Sequence, residues 1–281
     1  MTAPNKNFKR IGVFVDGGYF AKASDLYFYH HWRRARLSVH GVFEFIRNRV
    51  AKEHGANACC CQIVDAHYFR GRFYAGACQA AGKLWATHAL EEELMDEGVA
   101  THYLPVQRIA QTGRFGEKGI DVWLALEALE LALLRRFEIL VLIAGDGDYL
   151  PLVRKLKAHA LPVMLLAWNY ACQNEQGELI KGRVCHKLRE TVAYPVDMHR
   201  LIDERNASDD PLIAGLFSEP TDSPEQGPRT PHATNHDKRP APSAETGSES
   251  SAPLQTTSFG SVMPPPPPAC APTAAPHDNC R

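Results

Sequence analysis

The chain has 281 residues, 44% of them apolar, with 31 Lys+Arg against 32 Asp+Glu and a formal net charge of −1. That length allows one or two domains. No apolar run approaches the roughly 20 residues of a membrane-spanning helix, so no membrane partner is expected, and the opening MTAPNKNFKR lacks the apolar core of a signal peptide.

The charge is unevenly spread. Residues 206–281 carry 4 basic and 9 acidic groups, which leaves 27 basic and 23 acidic in residues 1–205. The front part is mildly basic, which permits a phosphate-bearing partner. Eight Cys and no secretory signal point to reduced thiols and a cytoplasmic location. There is no CxxC pair, so a zinc site is not expected.

In chain order, RIGVFV (10–15) is short, apolar and β-branched and predicts a first strand. Asp16-Gly17-Gly18 follows, giving an acid at a strand end with close backbone approach. In YFYHHWRRAR (27–36), Arg33, Arg34 and Arg36 interleave with Tyr27, Phe28, Tyr29 and Trp32. Aromatics stack on unpaired bases and Arg binds phosphate, so this is a candidate surface for single-stranded RNA. A solvated loop propped on the core by its aromatics fits the same residues.

Residues 39–54 read as an amphipathic helix with Val42, Phe43, Phe45, Ile46 and Val50 on one side. Residues 60–69 read as a second strand, with Asp65 and His67 on one face and Arg70 and Arg72 following on the ligand side. A helix over 79–97, a strand over 99–106 and a loop over 107–119 come next; Arg114 and Lys118 of that loop are further RNA-binding candidates. Residues 120–136 form a helix that is apolar nearly all round and so is expected to be buried. Asp121 stands in its first turn, with Leu124, Ala125 and Ala128 as its facing neighbours, so it should point inward and need a cation or backbone donors. Glu127 lies about 120° round the helix.

Ile139–Ala144 is an unbroken apolar run, the mark of a strand buried on both faces. Gly145, Asp146 and Asp148 follow, then helical spacing with Pro151 in the first turn. Asp146 and Asp148 therefore lie on a strand-to-helix turn, where open α/β sheets bind ligands; a turn residue and an N-cap would satisfy the same pattern. Residues 161–168 read as a fifth strand, 178–190 as loop and helix, and 194–203 as a short last strand and turn. Strands alternating with helices predict a parallel, doubly wound sheet. From Asn206 onward stand 15 of the 20 prolines, including Pro264–Pro268. This composition predicts a disordered C-terminal tail, with the proline run a possible dock for a protein partner. The oligomeric state is not legible.

Asp16, Asp121, Asp146 and Asp148 would repel one another at one sheet edge unless a divalent cation neutralised them, and oxygen donors suit Mg²⁺ or Mn²⁺. Such a site can hydrolyse a phosphodiester. The segments RIGVFVDGGYF, KGIDVWLALEAL and LVLIAGDGDYLPLVRKLKAHALPVMLL resemble the three blocks of the NYN domain, in its LabA-like branch, part of the PIN-like ribonuclease superfamily. The resemblance covers roughly residues 8–205. It implies a PIN-like three-layer α/β/α sandwich with strands ordered 3-2-1-4-5. It also implies metal-dependent RNA cleavage, with Asp16, Asp121, Asp146 and Asp148 as catalytic and metal-holding residues. Tyr19, Ala144 and Glu127 stand where many relatives have Asn, Ser and Asp; these departures bear on substrate positioning more than on metal binding. A phosphatase of the haloacid dehalogenase type fits less well, because Gly18 stands where its second acid belongs. A non-catalytic RNA-binding or adaptor protein on the same fold is the main alternative.

Overall fold

A computed structural model describes residues 8–73, 76, 84–108, 115–173, 177, 179–204 and 210–218. All of them belong to a compact unit spanning Met1–Gly227.

β1 (Lys9–Asp16) is followed directly by α1 (Gly17–Tyr29), because the Asp16 carboxylate caps the helix. Gly17 and Gly18 open that helix. α2 (Val39–His54) has the expected bounds and is capped by Ser38 and closed by Gly55 in the left-handed conformation. β2 (Cys61–Arg72), α3 (Leu84–Asp96) and β3 (Ala100–Pro105) follow. The 107–119 loop contains a two-stranded hairpin, β4 (Gln107–Arg108) with β5 (Phe115–Gly116). Next come α4 (Ile120–Arg135), β6 (Ile139–Ile143), a 3₁₀ turn (Gly147–Tyr149) and α5 (Leu150–Ala158). β7 (Val163–Ala167) leads to a second hairpin, β8 (Tyr170–Gln173) with β9 (Leu179–Gly182). α6 (His186–Thr191), β10 (Tyr194–Asp197), α7 (Met198–Asp203) and α8 (Pro211–Ala214) complete the described chain.

Six strands form one parallel sheet in the order β10-β7-β6-β1-β2-β3. This is the expected 3-2-1-4-5 order with the short last strand added at its edge. Alternate residues of the central strands point to opposite faces, and each face carries its own core. Ile11, Val13, Val15, Val141 and Ile143 pack with α1, α2, α7 and α8. Phe14, Leu140 and Leu142 pack with α4, α5 and α6. The result is a three-layer α/β/α sandwich. β6 pairs with β1 up to Val15↔Ile143, so the residues just past these two strands come out side by side at the point where strand order reverses.

Two expectations need correction. α4 is not buried all round: Leu124, Ala128 and Ala132 face the sheet, while Val122, Leu126, Leu133 and Leu134 are 50–69% exposed. Leu-rich composition hid the difference between its faces. The domain also does not end at residue 205. Ile213 and Leu216 are core residues, Ser38 N donates to Leu216 O at 2.9 Å, and Ser218 N donates to Arg36 O at 2.9 Å. The segment 210–218 crosses α2 so closely that a Cβ on Gly41 would sit 1.8 Å from the Gly215 carbonyl oxygen. Four residues of helix inside a Pro-rich, Ser-rich stretch carry too little periodicity to be seen in sequence. Among the described residues no helix is long and apolar enough to cross a membrane.

Candidate active site

Past the carboxyl ends of β1, β2 and β6 lies an open cavity of about 850 Å³. Asp16, Asp121 and Asp146 all line it, delivered by three separate elements. Asp16 ends β1 and caps α1, its Oδ1 accepting from Tyr19 N at 2.9 Å. Asp121 stands in the first turn of α4, where the helix dipole favours a negative charge. Asp146 caps the 3₁₀ turn after β6, its Oδ1 accepting from Asp148 N at 3.1 Å. A fourth acid, Glu117, arrives from the residue after β5. Its Oε2 and the Asp16 Oδ1 lie 3.2 and 3.4 Å from the point where a Cβ on Gly18 would be, so the gap left by that glycine is filled by the two carboxylates. The sequence reading passed over Glu117, because nothing periodic in 107–119 shows which way its side chains turn.

Tyr149, 1% exposed, lies beneath the acids. Its hydroxyl donates to Asp121 Oδ1 at 2.8 Å and lies 3.4 Å from Asp16 Oδ2, joining the carboxylates of β1 and α4. Burial raises the Asp16 carboxyl to about 6; the Tyr19 N–H opposes this, and the charges of Asp121 and Glu117 add to it. Burial, then the two carboxylates, pushes the Tyr149 hydroxyl well above the ordinary phenol range, so it stays protonated and serves as a donor. Tyr19 has a structural task. Its hydroxyl donates to Trp168 O at 3.0 Å and accepts from Trp168 N at 2.7 Å, tying α1 to the end of β7.

The cations at the cavity are Lys22, Arg70 and Arg183. Of these only Arg70 was expected on the ligand side; Arg72, expected there too, pairs with Glu91 and stacks on the Tyr103 ring instead. The predicted RNA-binding arginines lie elsewhere. Arg33 is stacked on Trp32 and Phe217, at 4.7 and 4.9 Å from the ring centres. Arg34 adopts a left-handed φ of 49° and donates to Tyr29 O. Arg36 pairs with Asp25 at 2.8 Å and stacks on Phe28. Asp148 and Lys118 do not line the cavity, and Arg114 lies outside the described residues. Glu127 accepts from Trp123 Nε1 at 3.4 Å, beside a stack of His67, His102 and Phe69, and is not a cavity residue.

Among the described residues no three His, Cys, Asp or Glu side chains converge closely enough to hold a metal ion as they stand. The donor set nevertheless fits Mg²⁺ or Mn²⁺. Such ions take hard oxygen ligands, keep several waters, and are commonly held by one or two carboxylates together with substrate phosphates. Asp16 and Asp121 form such a pair, joined through the Tyr149 hydroxyl.

A profile described as the NYN domain matches residues 10–182. No curated protein matches the chain. Among solved structures, a protein of unknown function from Vibrio parahaemolyticus is similar with a TM-score of 0.44 at 15% identity, over 69% of this chain and 96% of that one. A likeness of that size carries no argument about activity.

Proposed function

The chain belongs to the NYN domain family, within the PIN-like nuclease superfamily, and from that premise we propose that it is a metal-dependent ribonuclease of the LabA-like branch that hydrolyses RNA phosphodiester bonds. The observation that carries the reading is the meeting of Asp16, Asp121 and Asp146, from three elements, in one cavity at the strand-order reversal. Asp16 and Asp121 would hold Mg²⁺ or Mn²⁺, with Tyr149 fixing their separation. The bound cation would neutralise phosphate charge and supply an activated water. Asp146, exposed on the same cavity and braced by the Asp148 N–H, orients that water or completes the donor set.

The test is digestion of labelled RNA by wild type and Asp146→Asn with Mg²⁺, with Mn²⁺ and with EDTA. Wild type should cut only with metal, and Asp146→Asn should not cut. Removing one charge from a crowded cluster relieves repulsion, so the metal-free mutant should be at least as stable as wild type. Mn²⁺ should raise the wild-type Tm and raise that of the mutant less, because a ligand of the folded state stabilises it. A mutant that still cuts RNA and responds fully to metal would sink the role of Asp146. RNA binding without cleavage under any metal would mark a non-catalytic RNA-binding member of the family instead.

A further inference from the structure

We propose that Cys59 and Cys60 form a site of reversible oxidation, where a hydroperoxide closes a disulfide between the two adjacent residues at the end of the sheet remote from the acids. Three cysteines stand in a row, Cys59-Cys60-Cys61, and the fold gives each a different exposure. Cys59 is exposed, Cys60 half-buried and Cys61 buried. A 3₁₀ turn, Ala58–Cys60, holds the first two; Asn57 starts it, its side chain accepting from Cys59 N at 3.2 Å. Within that turn the Cys59 and Cys60 Sγ atoms lie 3.9 Å apart. An open cavity of about 460 Å³, lined by Cys59, Glu44 and Arg47, gives a small oxidant access. Cys61 is the first residue of β2, and burial pushes its thiol up; Cys60 and Cys59 add to this and Lys9 opposes it. A thiol held protonated is a poor nucleophile, so Cys61 stands aside and the chemistry falls to the outer pair.

The Cys59 thiolate attacks the outer oxygen of the hydroperoxide. The O–O bond breaks, the other oxygen leaves with a proton as alcohol or water, and Cys59 becomes a sulfenic acid. The Cys60 sulfur then attacks the sulfenic sulfur, the S–O bond breaks, and the hydroxide takes the Cys60 proton and leaves as water. Two thiols are thereby oxidised to one disulfide and the peroxide is reduced. Covalent geometry decides the character of that bond. Adjacent Cα atoms are fixed about 3.8 Å apart, below the roughly 4.4–6.8 Å that disulfides usually span. The bond is therefore strained, and strained, exposed disulfides are the easily reduced ones. It closes almost no loop, so it restricts the unfolded chain very little. Closure also twists the Cys59–Cys60 peptide, whose N–H donates to Asn57 O at 2.9 Å, and so loosens the turn. The disturbance has a boundary. β1 pairs with β2 through Lys9↔Cys61, Arg10↔Gln62 and Ile11↔Ile63; there the register shifts, and Gly12↔Asp65 begins the run that ends at Asp16↔Phe69. The ladder is already interrupted at that shift, and Cys61 lies roughly 26 Å along the strand from Phe69.

The experiment treats the full chain with hydrogen peroxide, alkylates the remaining thiols in denaturant, and reads the tryptic peptide 53–70 by mass spectrometry with fragmentation. That peptide should lose two hydrogens and carry its only alkyl group on Cys61, and dithiothreitol should restore three alkylated thiols. Cys59→Ser and Cys60→Ser should each abolish the bridge, and Cys61→Ala should keep it. Oxidised wild type should melt about 2–4 °C below the reduced protein, with the difference recovered by dithiothreitol and absent in Cys60→Ser. Hydrogen exchange should quicken over 57–63 on oxidation and stay unchanged over 65–72. The wild-type peptide decides the question even where a variant fails to fold. A bridge to Cys61 or to a second chain, a sulfinic acid on Cys59 with Cys60 still alkylated, or a bridge that dithiothreitol leaves closed overturns the proposal. Quickened exchange as far as Phe69 would overturn the confinement of the disturbance to the first three strand pairs.

Discussion

Tyr149 shows how much can hang on one hydroxyl. It reads in sequence as the residue before a helix, and a Phe there would satisfy every pattern in the chain. In the fold its single proton lies between two carboxylates, from β1 and α4. Tyr149→Phe keeps the ring and removes that donor. The expected result is a loss of about 1–3 kcal/mol, the usual cost of leaving a buried acceptor unsatisfied, and a smaller Mn²⁺-induced rise in Tm; thermal melts with and without Mn²⁺ read both. An unchanged metal response would mean that the hydroxyl does not set the spacing of the acids. On the α4 side of the sheet, His67 Nδ1 and His102 Nε2 lie 3.0 Å apart, so at least one ring must be neutral. Burial lowers the affinity of both for protons, and His67 lowers His102 further; Asp65 and Glu127 oppose the shift, and Arg135 adds to it for His67. A depressed histidine contributes stability that is present above its unfolded value of about 6.5 and lost as pH falls through the folded value. The share of stability held by this pair should therefore fall as pH drops from 7 to 5, against an opposite contribution from the raised Asp16 carboxyl, and the difference between wild type and His102→Gln in urea titrations across that range isolates it. The acids at strand ends were legible because an apolar run fixes where a strand stops. Glu117, Lys22 and Arg183 were not, because their directions depend on hairpins and helix phases that the sequence leaves unmarked.

At the scale of elements, α1, the two hairpins β4–β5 and β8–β9, the helix α7 and α8 were missed. α1 starts on two glycines, poor helix formers, and its start is set by the Asp16 cap. α8 is short, but the segment it belongs to seats Ile213 and Leu216 in the core. Each buried Leu or Ile contributes about 1.5–3 kcal/mol, so truncation after Arg205 should cost roughly 3–6 kcal/mol. Differential scanning calorimetry should show a markedly lower Tm. Gly41→Ala tests the same contact from the other side. Its methyl would collide with a backbone carbonyl that cannot rotate away, an overpacking cost of about 1–3 kcal/mol. If the Arg205 truncation and Gly41→Ala both melt like wild type, the segment 210–218 is not part of the folded unit.

For the whole molecule, the alternation of apolar runs and helical stretches was sufficient to predict a parallel, doubly wound sheet, and the resemblance supplied its strand order; both match the six-stranded arrangement. Truncation after Ser218 should then leave Tm and metal-dependent cleavage unchanged, in contrast to truncation after Arg205, and the pair of truncations brackets the edge of the domain between those two residues. The clasp between Gly41 and Gly215 also has a consequence in time. A ribosome releases α2 early, yet the segment that covers it is made about 175 residues later. At about 5–20 residues per second that interval is roughly 9–35 s. Through all of it the Ser38–Gly41 corner has no lid, and β1, first to be made, lacks β6 on one side until residue 143 is made. The nascent chain therefore carries an uncovered apolar corner on α2 for most of its synthesis, and that corner closes only when residue 216 emerges.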